Sequence, residues 1–97
     1  MRSDPQPPFQ VRLRSRRVQR ELETLPQVDR RRVTAAIQAL GNEPRPTGAV
    51  QLEDSFFRVR VGRYRIIYYV DTRDRIVDIG GIRRRTEETY RGIRDLF

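Results

Sequence analysis

The stretch that most constrains the fold is FFRVRVGRYRIIYYV, residues 56–70. Apolar and polar residues alternate on both sides of Gly62-Arg63, and a period of two is typical of a strand with one buried face. A two-residue link with glycine at its first position favours a type II′ turn. The segment therefore predicts a β-hairpin with strands Phe56–Val61 and Tyr64–Val70.

The two-residue turn also predicts which side chains lie opposite each other. It pairs Val61 with Tyr64 and Arg60 with Arg65, and alternation then separates two faces. The face expected to enter the core carries Phe57, Val59, Val61, Tyr64, Ile66 and Tyr68. The other face carries Arg58, Arg60 and Arg65, with Ile67 and Tyr69 between them.

Three arginines without an acid on one face need an explanation. Like charges directly opposite each other on a sheet destabilise it by up to ~1 kcal/mol. Natural sequences accept such a cost most readily where the charges serve a bound partner. The alternative is a solvated face on which long side chains spread apart. We favour a phosphate site, and Tyr69 beside the arginines suits stacking on unpaired RNA bases.

The charge balance agrees with that interpretation. All 21 basic residues are arginine, 13 residues are acidic, and the formal net charge is +8. A genome whose codon bias favours arginine would account for arginine in place of lysine, but not for the excess of base over acid. A small, strongly basic domain is typical of a partner of nucleic acid or another polyanion.

The absent residue types exclude several chemistries. The sequence has no histidine and no cysteine, so Ser-His-Asp and Cys-His arrangements, disulfides and the usual zinc sites are excluded. No stretch reaches the ~20 apolar residues of a membrane span, and the amino end lacks a signal-peptide core, so we expect a cytoplasmic protein.

The rest of the chain predicts a compact α+β domain over residues 9–97, preceded by a disordered tail at residues 1–8. The expected elements are a strand at Phe9–Leu13, a helix at Arg16–Leu25 capped by Ser15, a helix at Arg30–Leu40 capped by Asp29, a loop at Glu43–Gly48, the hairpin, a last strand at Arg75–Ile82 and a helix after Arg85. Tyr90, Ile93 and Phe97 share one face of that final helix. The order β-α-α-β-β-β-α predicts a small antiparallel sheet, an N-terminal helical hairpin on one face and a C-terminal helix.

A second basic cluster, Arg83-Arg84-Arg85, follows the last strand and leads into the helix that carries Tyr90. Periodicity does not show whether the cluster joins the arginine face of the hairpin. It fits either a basic turn without a role or an extension of the RNA-binding surface.

Several segments together resemble the RelE toxins of bacterial toxin–antitoxin pairs. RVRVGRYRIIYYV, followed by RRR and TEETY, matches the family's hairpin and carboxyl end, and LETLP and RVTAAIQALGNEPRPTG match its helical hairpin and following loop. The resemblance covers residues 9–97. It implies the β-α-α-β-β-β-α fold and a metal-independent, cofactor-free endoribonuclease that cuts mRNA in the ribosomal A site. In that reaction a 2′-hydroxyl attacks the adjacent phosphate.

The resemblance also implies site residues and a partner. The family's two basic positions on the first hairpin strand fall at Arg58 and Arg60, and the arginine of its YR step falls at Arg65. The family's arginine six residues before the C-terminal tyrosine falls at Arg84, and the tyrosine falls at Tyr90. Arg83, Arg85 and Tyr69 are expected to contact RNA. A cognate antitoxin would wrap around the toxin in a hetero-oligomer.

One departure from the family concerns the two hairpin positions. The best-known RelE enzymes have lysine where this chain has Arg58 and Arg60, and an arginine with a pKa above ~12 is hard to use as an acid or base. The two arginines are therefore expected to stabilise the pentacoordinate phosphate electrostatically. Tyr90 can stack on a base or help to activate the 2′-hydroxyl, and Glu53, Asp54 and Glu87 are further candidates for the base.

Two other functions remain open on the sequence. A ParE-like protein would share the fold but poison DNA gyrase without cutting RNA. A non-catalytic RNA-binding module would bind with a marked salt dependence but cleave nothing. The density of the arginines together with a terminal tyrosine favours the RelE branch.

Overall fold

The computed structural model describes residues 8–84 and 93–97. The strands are β1 (Gln10–Leu13), β2 (Val50–Glu53), β3 (Phe56–Val61), β4 (Tyr64–Asp71) and β5 (Ile76–Arg84). The helices are α1 (Arg16–Glu23) and α2 (Gln27–Ala39), and a 3₁₀ turn spans Ile93–Leu96. No helix among the described residues is long and apolar enough to cross a membrane.

The strands form one sheet in the order β1-β5-β4-β3-β2. The expected α+β class is confirmed, with two differences in the sheet. Strand β1 pairs with β5 in parallel, so the sheet is mixed. Strand β2 was not predicted, because it is a short edge strand with a register shift between Gln51 and Glu53, and Val50 is 40% exposed. Such a segment has little of the alternation that identifies a half-buried strand.

The hairpin has the predicted register. Val61 lies opposite Tyr64, and Arg60 lies opposite Arg65. Gly62 has a φ of 58°, whereas Arg63 is outside the positive-φ region. A positive φ at the first central position alone fits the expected type II′ turn, and this conformation is one that glycine adopts without steric cost.

The helix ends differ from the prediction by up to three residues. Helix α1 ends at Glu23, two residues before Leu25. Helix α2 begins at Gln27 after Pro26, and the N–H of Arg30 donates to the Pro26 carbonyl at 2.8 Å. Asp29 therefore lies inside the first turn, and the predicted cap is wrong. The N-cap residue is Pro26, whose fixed φ suits a helix start. Ser15 does precede α1, but its side chain makes no capping hydrogen bond.

Both helices pack on the same face of the sheet, α1 mainly against β5 and α2 against β3 and β4, and form the main core. Val18, Val33, Ile66, Tyr68, Val77 and Ile79 are fully buried there. Val33 and Ile37 form the buried stripe of α2, and Leu40 at the C-cap continues it. The predicted inward residues of the hairpin all belong to this core, either buried or packed against it.

Tyr68 carries a polar group into this core. Its hydroxyl donates to the carbonyl of Pro44 at 2.7 Å, and burial raises the pKa of Tyr68 to about 12, although nearby Arg45 opposes that rise. In the unfolded chain the pKa of this tyrosine is close to 10. The raised pKa therefore stabilises the folded protein fully below pH 10, and this stabilisation is lost as the pH rises towards 12.

Tyr68→Phe is therefore expected to lower the free energy of unfolding by about 1 kcal/mol at neutral pH, because the Pro44 carbonyl loses its donor. Above pH 10 the wild-type protein should lose stability more steeply than the variant. Urea titrations at pH 7 and between pH 10 and pH 11.5 measure both effects. Parallel pH profiles for the two proteins would contradict this account of the buried hydroxyl.

A second, smaller cluster lies on the opposite face of the sheet. It is formed by Phe56, Ile67 and Ile93, with Leu52, Tyr69, Leu96 and Phe97 packed against it. The 3₁₀ turn therefore covers the apolar part of this face. Residues 85–92, which contain most of the predicted C-terminal helix, lie outside the described residues, as do residues 1–7 of the predicted tail.

Candidate functional site

Arginines from three neighbouring strands line up on the sheet face that the helices leave uncovered. Arg60 of β3 pairs with Arg65 of β4, and Arg65 pairs with Arg83 of β5. We call these three residues the basic row. Arg58 lies two residues from Arg60 on the same face of β3, opposite Ile67. The basic row and Arg58 together form the arginine site.

The arginine site is partly buried. Arg58, Arg65 and Arg83 are half-buried, and Arg60 is exposed. Among residues 8–84 and 93–97, the buried Nε of Arg58 has no hydrogen-bond acceptor. A buried donor without an acceptor costs about 1–3 kcal/mol, so a ligand oxygen at this position would be stabilising. An anion there would also relieve the repulsion between arginines that face each other across the strands.

The family resemblance groups Arg84 with Arg58, Arg60 and Arg65, but the structure places it on the other face of the sheet. Arg84 pairs with Tyr64, whose side chain faces the helices, and it lines a cleft there with Thr24 and Pro26. Arg83 occupies the end of the basic row instead. No observation tests the catalytic role predicted for Arg84.

A bulge in β5 explains why Arg83, and not Arg84, lies in the basic row. Ile67 pairs with Gly81, whereas Tyr68 pairs with Ile79, so Gly80 is an extra residue without a partner on β4. One extra residue moves every later side chain to the other face. If β5 continued its pairing with β4 from Ile76 onwards without the bulge, Arg84 would lie on the same face as Arg65.

Tyr69 is on the face of the arginine site but not within the basic row. Its ring packs edge-on against Phe56, with centroids 4.9 Å apart, and tilts against Phe97 at 6.3 Å. Tyr69 is paired with Asp78, near the opposite end of the sheet from Arg83. The predicted RNA contact of Tyr69 therefore lies within the second apolar cluster, four residues along β4 from Arg65.

The carboxylates proposed as bases lie elsewhere or outside the described residues. Arg94 forms ion pairs with Glu53 at 3.1 Å and with Asp54 at 2.8 Å, beside the second apolar cluster. Glu87, Arg85 and Tyr90 are outside the described residues. Within the described ranges, no group of three or more acidic residues is arranged to hold a metal ion.

One carboxylate that the sequence did not single out does contact the basic row. Glu21 of α1 accepts a hydrogen bond from Arg83 Nη1 and another from Arg17 Nη1 at 2.9 Å. The only sequence signal was the spacing of Arg17 and Glu21, which is typical of an ordinary surface ion pair on a helix. Contact with Arg83 depends on the packing of α1 beside β5.

A second charged group lies at the far end of the same face. Asp78 is buried and accepts hydrogen bonds from Arg12 at 3.2 Å and Arg14 at 3.4 Å. These residues, with Phe56, Tyr69 and Phe97, line a cleft of about 220 Å³. Asp78 neutralises part of the charge of Arg12 and Arg14.

Comparison with known proteins defines the class to which this fold and site belong. The five-stranded sheet with two helices on one face matches the fold of solved toxins of toxin–antitoxin pairs. Residues 12–89 match the family described as the ParE toxin of the type II toxin–antitoxin system parDE. The chain belongs to this family, within the RelE/ParE superfamily, and is the toxin of a type II toxin–antitoxin system.

Solved structures with a similar fold include RelE proteins. RelE in the archaeal RelE–RelB complex from Pyrococcus horikoshii is 27% identical, with a TM-score of 0.76 over 84% of this chain and 99% of that one. A chain of the RelBE2 toxin–antitoxin complex from Mycobacterium tuberculosis is also 27% identical, with a TM-score of 0.69 over 80% and 99%. Isolated RelE from E. coli shares the fold at 13% identity, with a TM-score of 0.70 over 82% and 87%. No curated protein sequence matches the chain.

Proposed function

We propose that this toxin is a metal-independent endoribonuclease that cuts mRNA in the ribosomal A site. The observation that supports the proposal most is the arginine site, in which Arg60, Arg65 and Arg83 are aligned across three strands with Arg58 beside them. Guanidinium groups at these positions can bind the non-bridging oxygens of one phosphate by bidentate hydrogen bonds. The likeness to RelE structures favours this function.

The proposed reaction is an internal transfer within the RNA strand. The 2′-oxygen attacks the adjacent phosphorus, the bond to the 5′-oxygen breaks, and the 2′-hydroxyl proton goes to a base while the 5′-oxygen gains a proton. The products are a 2′,3′-cyclic phosphate and a 5′-hydroxyl end. The arginine site would bind the extra negative charge of the pentacoordinate phosphate more strongly than the ground state.

Positioning supplies much of the remaining rate enhancement. Holding a 2′-hydroxyl in line with the scissile bond contributes about 7–11 kcal/mol in well-oriented intramolecular reactions. Ribosomal RNA at the decoding site can hold the mRNA while the toxin supplies the cations. Tyr90 and Arg84 are proposed to take part on the basis of the family resemblance, Tyr90 by stacking on a base or activating the 2′-hydroxyl.

We also propose a cognate antitoxin as the partner in the cytoplasm. The toxins from Pyrococcus horikoshii and Mycobacterium tuberculosis were solved in complexes with their antitoxins. Co-expression of this chain with the product of an adjoining small open reading frame should abolish growth arrest and yield a co-purifying complex.

The direct test is incubation of the purified protein with ribosomes programmed with a defined mRNA, followed by mapping of the RNA ends. We expect cuts within codons, with 5′-hydroxyl ends on the downstream fragments. Intact mRNA in the presence of active ribosomes would contradict the proposal.

Gyrase poisoning is the second candidate, because the matching family is described as ParE. A ParE-like activity predicts trapped gyrase–DNA complexes on expression and intact mRNA. The two assays therefore give opposite results for the two candidates. The RelE structures among the similar folds favour the nuclease.

A further inference from the structure

Glu21 occupies an opening at the edge of the sheet, next to the arginine site. Strand β1 pairs with β5 only from Ile76 to Ile79, so β5 continues beyond it with an uncovered edge. Helix α1 passes this edge, and Glu21 Oε1 accepts a hydrogen bond from the backbone N–H of Ile82 at 3.0 Å. The carboxylate thus replaces the missing neighbouring strand at this position.

The second carboxylate oxygen of Glu21 binds two arginines. Oε2 accepts hydrogen bonds from Arg17 and from Arg83, the end member of the basic row. The Arg83 guanidinium lies 3.7 Å from the Cβ position of Gly81, which shows that the side chain folds back along β5. The side chains of Glu21 and Arg83 are 21% and 24% exposed, so water and salt screen this ion pair only in part.

We propose that Glu21 is a positioning residue that holds Arg83 away from RNA in the free toxin and releases it when a phosphate arrives. This inference rests on the proposed function. Carboxylate and phosphate compete for the same planar fork of N–H donors, so Glu21 is an internal competitor of the substrate. Release leaves Glu21 bonded to Arg17 and Ile82, so the carboxylate is not left without partners. We call this arrangement the Glu21 latch.

The chain offers a matched pair of variants for the test. Glu21→Gln removes the charge that holds Arg83 but keeps an acceptor for the Ile82 N–H. Glu23→Gln makes the same change of net charge on the same helix, at an exposed residue whose carboxylate accepts a hydrogen bond from Gln19 at 3.1 Å. Any general effect of one added positive charge should therefore be equal in both variants.

The binding probe is a fluorescent, fully 2′-O-methylated oligoribonucleotide of 12 nucleotides, which cannot be cleaved by 2′-hydroxyl attack. Glu21→Gln should bind it up to about fivefold more tightly than Glu23→Gln at 0.1 M salt, because binding no longer has to break the ion pair between Glu21 and Arg83. The slopes of log K against log salt should be equal, because Arg83 contacts a phosphate in both complexes. In the Arg83→Ala background the two variants should bind equally.

The outcomes separate the latch from the proposed function. Equal affinities of Glu21→Gln and Glu23→Gln for the probe would overturn the latch, as would a difference in affinity that persists without Arg83. If the latch is overturned but wild-type protein cleaves mRNA on ribosomes, the proposed nuclease function holds without the latch. If wild-type protein neither cleaves mRNA nor binds the probe, both proposals fail.

A reciprocal pair covers the case in which Glu21→Gln does not fold. Arg17→Gln leaves Arg83 as the remaining cation on Glu21 Oε2, so the latch should tighten. This variant should bind the probe more weakly than Arg20→Gln, which removes the same charge from an exposed position of α1. Equal binding, or a difference that remains in the Arg83→Ala background, would contradict the latch.

Discussion

Arg65→Ala is expected to lower the rate of mRNA cleavage on programmed ribosomes by about 10²–10³-fold, because one positioned donor to the developing phosphate charge is lost. Arg65 is the central member of the basic row and lies between Arg60 and Arg83 across the strands. Its half-buried position places its guanidinium where water competes less for the phosphate. Single-turnover kinetics on saturating ribosome complexes measures the chemical step directly.

The control for this variant is Arg63→Ala. Arg63 is exposed in the hairpin turn, only two residues from Arg65, and its removal changes the net charge by the same amount. We expect cleavage by Arg63→Ala to stay within a few-fold of the wild-type rate. Equal rates for all three proteins, with unchanged circular dichroism spectra, would show that the arginine site does not carry the chemistry.

Gly80→Ala is expected to lower the free energy of unfolding by about 1–3 kcal/mol through overpacking. A Cβ atom at Gly80 would lie 2.1 Å from Cζ of Phe97, and ring atoms on both sides are within 2.6 Å. The ring must move, and its contact with Phe56 at a centroid distance of 5.1 Å would be lost or weakened. Urea denaturation followed by far-ultraviolet circular dichroism measures the change.

Gly81→Ala is the matched control for Gly80→Ala. An added Cβ at Gly81 meets its nearest atom, Cδ1 of Leu96, at 3.4 Å, which is an ordinary contact. Neither glycine has a positive φ, so backbone strain does not distinguish the two variants. If Gly81→Ala destabilises the protein as much as Gly80→Ala, the close packing of Phe97 on the bulge is not the cause.

The sequence was sufficient for the hairpin because the information there is local. A two-residue turn sets the register, and alternation then assigns each residue from Phe57 to Tyr68 to a face. The arginine face with Arg58, Arg60 and Arg65 followed directly. The two helices were also predictable, because apolar residues recur at helical spacing in each, although the helix ends were not. The residues are Val18, Leu22 and Leu25 in the first helix and Val33, Ile37 and Leu40 in the second.

The pairing of β5 was not predictable from alternation alone. The bulge at Gly80 reverses the faces of the residues that follow it, so Arg83 joins the basic row in place of Arg84. Two consecutive glycines in an otherwise apolar strand were the available signal, since glycine inside a strand often marks a bulge. The sequence does not show which of the two glycines is the extra residue.

Contacts between distant segments were also beyond the sequence. Glu21 and Arg83 are 62 residues apart, and their ion pair exists because β1 ends early and leaves an edge that α1 covers. The second apolar cluster likewise depends on where residues 93–97 pack on the sheet. Neither arrangement leaves a periodic pattern in the chain.

We propose that the arginine site stabilises a phosphate under attack by the adjacent 2′-hydroxyl. The most direct measurement uses programmed ribosomes carrying mRNA with a single 2′-deoxynucleotide on the 5′ side of the scissile bond. We predict that cleavage at this bond is abolished, while the all-ribose mRNA yields a 2′,3′-cyclic phosphate at the same position. Cleavage of the deoxy-substituted bond at an undiminished rate would contradict the account.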